Sequence, residues 1–194
     1  MQTLPLFPLP TVLYPGGYLP LQIFEPRYLR MVKQCLANSS GFVVVQSIDG
    51  LSASEEGRAP FYPVGCYGEI DDWHPLPNDL LGIDLHGQYK VRIHDYRAEQ
   101  DGLLVGQCEI LPAEAPTPVS DRYPQLIRLL QDIQKHPMIQ MLGLDIDYQD
   151  ASEVGYRLAE LLPFSGDEKQ LLLESDDPLA RLDAIKSLIR QLGG

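Results

Sequence analysis

The 194-residue chain is 44% apolar and 22% charged, enough apolar material for a core and too balanced for a disordered segment. Its net charge of −12, with no basic stripe, argues against a nucleic-acid partner. No apolar run approaches the roughly 20 residues that span a bilayer, and no leader pattern opens the chain, so a cytoplasmic location without membrane attachment is expected.

Short β-type runs broken by Pro and Gly fill the first part. Their pattern predicts strands near 3–8, 18–23, 42–48, 64–70, 80–86, 88–97 and 103–111. Between the second and third of these, "LQIFEPRYLRMV" changes from strand to helix at Pro26. Proline has a fixed φ and no N–H, which suits the first helical position. Glu25 just before it can place its carboxylate near the positive end of the helix. Arg27 lies in the first turn, where the dipole disfavours a cation, so a specific partner, a carboxylate or main-chain carbonyls, is expected. The helix is expected to turn Tyr28, Leu29, Val32 and Leu36 inward. Glu25 and Arg27 therefore read as parts of a structural corner rather than as reacting groups.

"FVVVQSI" is a near-continuous apolar run, as in a strand covered on both faces. "SIDGLSASEEGRAP" has no periodicity and reads as a mobile surface loop. "QYKVRIHDY" alternates, with Tyr89, Val91 and Ile93 on one face and Lys90, Arg92 and His94 on the other; "HGQ" before it reads as a turn. Cys66 and Cys108 fall within apolar strand patterns and read as packing residues; with Cys35 they make three widely spaced thiols, expected to be reduced.

Past "PAEAPTPVSD" the period becomes helical, so the domains are expected at 1–115 and 116–194. Four helices are predicted. The first carries Leu126, Leu129, Leu130 and Ile133. The second starts at Asp150 with Glu153 three residues on. The third has Ser165 and Glu168 as a capping box. The last has Asp177 as N-cap, Pro178 at the first position and a stripe of Leu179, Leu182, Ile185, Ile189 and Leu192.

No Gly-Lys dipeptide occurs, so there is no Walker A loop, and GxGxxG, GxSxG and HExxH are absent. The densest polar set, Glu69, Asp71, Asp72, His74, Asp84 and His86, has ligand types suited to a divalent metal but no metal-motif spacing. Trp73 beside it reads either as an exposed ligand anchor or as a cap on the core.

The opening "LPLFPLPTVLYPGGYLPLQIFEPRYLRMV" resembles the N-terminal substrate-binding domain of Lon-type ATP-dependent proteases, with standalone bacterial members and the Lon-like domain of cereblon as relatives. Its core is Phe24, Glu25, Pro26, Arg27 and Tyr28. "PVGCYGEI", "DLHGQYKVRI" and "DEKQLLLESDDPLARLDAI" extend the resemblance over about 1–190, with Lys90 where arginine and Val91 where an aromatic is common.

The resemblance implies an α+β fold, a PUA-like β pseudo-barrel followed by a C-terminal α-helical bundle. It implies a non-catalytic binding module for polypeptides or a protein partner, including unfolded clients, that has no ATPase or peptidase and needs no cofactor or metal. Aromatics near predicted turns, Tyr14, Tyr18, Phe61, Tyr62, Tyr67 and Trp73, are the expected contact residues. The alternative is a small-molecule or metal-dependent site built on the Glu69–His86 cluster, or an RNA-linked role by fold analogy.

Overall fold

The structure, a computed structural model, describes residues 1–48, 59–77 and 80–192. The expected surface loop falls mostly outside the described residues. The chain divides into two compact units, Met1–Ala113 and Glu114–Gly194.

The first unit holds β1 (Gln2–Leu9), β2 (Tyr18–Ile23), α1 (Pro26–Asn38), β3 (Phe42–Gln46), β4 (Val64–Leu76), β5 (Leu80–Ala98) and β6 (Leu104–Ile110). The strands form one mixed sheet in the order β2-β5-β4-β3-β1-β6, and β6 also pairs with β5, so five strands close on themselves. Among the described residues only β1 and β3 run parallel; the other pairs are antiparallel. Closure depends on the length of β5. Its first half pairs with β2 and its second half with β6, while β4 pairs with it from Leu80 to Arg92.

One long strand replaces the two expected on either side of "HGQ". Gly87 is not a turn residue but a point of close approach. A Cβ there would lie 2.1 Å from the Tyr14 carbonyl oxygen. The chain before β2 is bonded to this spot, Gly16 N–H to Gly87 O at 2.8 Å and Gly87 N–H to Gly17 O at 2.9 Å. Side-chain absence, not turn-forming freedom, is what the position needs.

The apolar run in β3 is buried residue by residue because the strand is covered on both faces. Val43 and Val45 join one apolar cluster with Leu6, Val91, Ile93 and Cys108. Phe42 and Val44 join the other with Phe7 and α1. Helix α1 presents Tyr28, Met31, Val32 and Cys35 to that cluster, the i, i+3, i+4, i+7 spacing of one helical face. Leu36, expected inward, is exposed, and Met31 and Cys35 take the inner positions. Ser39, in the left-handed conformation, ends the helix. Lys90, which alternation puts on the same face as Arg92 and His94, is buried where the chain leaving β6 runs beside it, with Leu111 N–H donating to its carbonyl at 3.0 Å. All three cysteines are free and buried, and burial pushes the Cys108 thiol up to about 11.

The second unit holds α2 (Pro124–Gln134), α3 (Pro137–Gln140), α4 (Ala151–Leu161), α5 (Gly166–Glu174) and α6 (Pro178–Leu192); the four-residue α3 is additional to the four helices read from the sequence. Of the others, α4, α5 and α6 start where the capping residues indicate, whereas α2 starts at Pro124 with no side-chain cap from Tyr123. Ser165 and Glu168 form a reciprocal capping box. Asp177 accepts from the N–H groups of Leu179 (2.9 Å) and Ala180 (3.2 Å). Asp150 accepts from Ser152 N–H at 3.1 Å. The α4 helix, with Val154, Leu158 and Ala159 fully buried, packs against α2, α5 and α6.

The interior of this unit is fastened by Arg181, which has no exposed surface. Its Nη1 donates to Glu114 Oε2 at 2.9 Å, its Nη2 to Glu114 Oε1 and the Ser175 carbonyl, and its Nε to the Leu172 carbonyl at 2.9 Å. The guanidinium also lies 4.0 Å from the centre of the Tyr156 ring. A buried charge is tolerable only when so fully paired. Burial alone would raise the Glu114 pKa; the bonds from Arg181 and Tyr156 overcome it and hold the carboxyl at about 2.

Candidate functional site

The strand-to-helix corner between β2 and α1 brings the Phe24–Tyr28 motif to one side of the sheet unit. Pro26 occupies the first helical position and Glu25 the N-cap, where its carbonyl accepts from the N–H groups of Tyr28 and Leu29 at 3.0 Å each. The Glu25 carboxylate does not cap the helix. It takes the Arg27 guanidinium instead, with Nε at 2.9 Å and Nη2 at 2.7 Å. Arg27 Nη1 donates to the Gly102 carbonyl at 3.0 Å, so the expected partner is double, a carboxylate and a main-chain carbonyl.

One turn later, Arg30 reaches the same β5–β6 connection, with Nη2 2.6 Å from Glu99 and Nε 2.8 Å from Asp101. That bond holds the Asp101 carboxyl below the usual carboxylate range. Two arginines on α1 thus fix the 99–102 turn. Gly102 has φ +83°, and an added Cβ would lie 3.3 Å from Arg27 Nη1, so both the turn and the clamp favour glycine.

Beside this clamp lies a groove of about 520 Å³. Its apolar lining includes Phe7, Leu9, Leu21, Ile23 and Leu104, with Tyr28 at the start of α1. Phe7 and Tyr28 pack with ring centres 4.2 Å apart, which sets the inner surface. Phe24 stands at the rim with 65% of its surface exposed, an unusual placement for a phenylalanine with an apolar groove beside it. Glu25 and Arg27 are the charged side chains of the lining, and each is engaged by the other. Strand β2 runs into the groove through Leu21, Gln22 and Ile23; among the described residues it pairs only with β5, leaving its other edge unpaired. The arrangement offers apolar side-chain pockets next to an open strand edge, the requirements for holding an extended chain.

The aromatics expected from the sequence to make contacts lie elsewhere. Tyr14, Phe61 and Tyr67 are buried in the core. The Tyr67 hydroxyl accepts from Gly41 N–H at 2.6 Å and its ring stacks on Tyr89 at 4.9 Å, while Phe61 packs edge-on to Tyr96. Tyr18 and Tyr62 are half-buried. Burial first, then a hydrogen bond to the Asp84 carboxylate, pushes the Tyr18 phenol up to about 12. Trp73 is 54% exposed on β4, opposite Ile83, and does not line the groove.

The acidic cluster is spread along the β4–β5 ladder. Glu69 pairs with His86, Asp72 with Asp84 and His74 with Gly82, whose missing side chain leaves room for the imidazole. Among the described residues no three His, Cys, Asp or Glu side chains gather to hold a metal.

The profile of the ATP-dependent protease La (LON) substrate-binding domain matches residues 3–191. The chain belongs to this family. A crystal structure of a Lon N-terminal domain protein from Xanthomonas campestris superposes with a TM-score of 0.78 at 31% identity, covering 96% of this chain and 98% of that one. A LON peptidase N-terminal domain and RING finger protein of Schizosaccharomyces pombe is 28% identical over 97% of this chain and 45% of its own length. Cereblon of Danio rerio is 27% identical over 58% of this chain and 26% of its own length. The chain therefore spans less than half of these two curated relatives. The matched domain is a substrate-binding one, and no peptidase or ATPase domain is found in this chain. No helix among the described residues is long and apolar enough to cross a membrane.

Proposed function

We propose that the protein is a non-catalytic polypeptide-binding module and that the groove at the Phe24–Tyr28 corner receives an extended apolar segment of an unfolded client. The observation that carries this reading is the exposed Phe24 at the rim of an apolar groove beside the open edge of β2. Membership of a substrate-binding family supports a polypeptide as the ligand class. The family's name, that of an ATP-dependent protease's substrate-binding domain, favours a role in delivering such clients to ATP-dependent proteolysis carried out elsewhere. Glu25 and Arg27 serve the groove by shaping it: their mutual pairing removes charge that would oppose an apolar segment.

The three native thiols are buried, so a cysteine introduced at an exposed position can be labelled selectively. A photo-crosslinker attached to Phe24→Cys is expected to transfer to a chemically unfolded polypeptide, and one attached to Trp73→Cys is not. Equal or greater transfer from position 73 would place the binding surface on the β4–β5 ladder and refute the groove.

A further inference from the structure

A second recessed surface lies wholly within the helical unit, between the start of α2 and the end of α6, with a volume of about 380 Å³. Its floor is Leu126, Leu129 and Ile189, and its polar lining includes Arg122, Lys186 and Arg190 against a single carboxylate, Asp121. On a chain of net charge −12, three cations around one groove run against the background field. Lys186 and Arg190 have no ion-pair partner among the described residues, and Arg122 has only a long contact of 3.7 Å to Asp183. The apolar stripe of α6 also outruns its cover. Leu182 and Ile185 are fully buried, but Ile189 is only half-buried and Leu192 is 56% exposed.

We infer that this groove docks an acidic, amphipathic peptide segment of a partner protein. Charge complementarity selects the occupant. Lys186 and Arg190 stand one helical turn apart and suit two carboxylates about 6 Å apart, the spacing of i, i+4 on a helix or i, i+2 on a strand. An apolar side chain between those carboxylates would reach Leu129 and Ile189. The site is separate from the groove that receives unfolded chains, and its partner differs in chemistry, acidic rather than apolar. A module with both surfaces could hold a client on one and a partner on the other.

The test uses fluorescence anisotropy with a labelled 14-residue peptide carrying Glu and Leu in an amphipathic repeat, and the same peptide with every Glu replaced by Lys. The intact protein is expected to bind the acidic peptide saturably and the basic one at least tenfold more weakly. Raising salt from 50 to 300 mM should weaken the acidic complex. Lys186→Glu/Arg190→Glu should weaken it at least tenfold with an unchanged melting curve, whereas Phe24→Ser should leave it intact. Binding undiminished by the double substitution, absence of saturable binding, or loss in Phe24→Ser would overturn the inference. Displacement by millimolar phosphate at constant ionic strength would also overturn it, by making the groove a simple anion site.

Discussion

Arg27 and Arg181 each hold a glutamate, in opposite surroundings. Arg27 and Glu25 are two residues apart, and their side chains are 33% and 40% exposed. Arg181 and Glu114 are 67 residues apart and almost entirely out of water. The same pairing chemistry therefore has different consequences. In water the gain from ion pairing is nearly cancelled by hydration, so the Arg27 pair adds little stability and acts mainly on shape. Inside the helical unit no water is available to replace a missing partner, so the Arg181 pair sustains the fold.

The sharpest way to break this contrast is Arg181→Ala. It strands a buried carboxylate and should cost about 3–5 kcal/mol in urea unfolding; a loss no greater than that of Arg27→Ala would end the distinction. Acid should act on the same pair. The Glu114 carboxyl is held at about 2 against an ordinary 4.5. A lowered folded-state pKa contributes stability above the unfolded value, which is lost as pH falls through the folded one. The contribution, about 3 kcal/mol, should decline between pH 4.5 and 2, and Glu114→Gln should flatten that part of the stability–pH curve.

Gly102→Ala places a side chain at positive φ against Arg27 and should cost about 1–2 kcal/mol, read as a lower melting temperature. Arg27→Ala should cost about 1 kcal/mol, the loss of a half-exposed pair and one carbonyl bond. It should also weaken polypeptide binding by loosening the turn at 99–102.

Much of this organisation is legible in the sequence where the determinants are local. The order of strands then helices, the doubly covered β3, the Ser165 capping box and the Asp177–Pro178 helix start all rest on neighbours within four residues. The misreadings involve distant neighbours. Gly87 looks like a turn because the Tyr14 backbone that presses on it is 73 positions away. Tyr14, Phe61 and Tyr67 look available because nearby turn residues do not reveal that the closed sheet covers them. Arg181 and Glu114 have no shared local pattern. For the proposed site, the sequence marked the Phe24–Tyr28 corner as a structural element rather than as a contact surface, and anticipated a partner for Arg27. It gave no sign of the groove, whose lining is gathered from β1, β2, α1, residues near the end of β3, and the end of β5 through the start of β6. The one local hint was Phe24 itself, an aromatic placed just before a helix-starting Glu-Pro, outside the inward stripe that begins at Tyr28.

Phe24→Ser tests the account most directly, because a side chain 65% exposed can be removed with little effect on stability. The measurement is the affinity for a labelled unfolded polypeptide, taken beside the melting temperature. The account predicts at least a fivefold loss of affinity with the melting temperature unchanged. Undiminished affinity in a folded Phe24→Ser protein would contradict it.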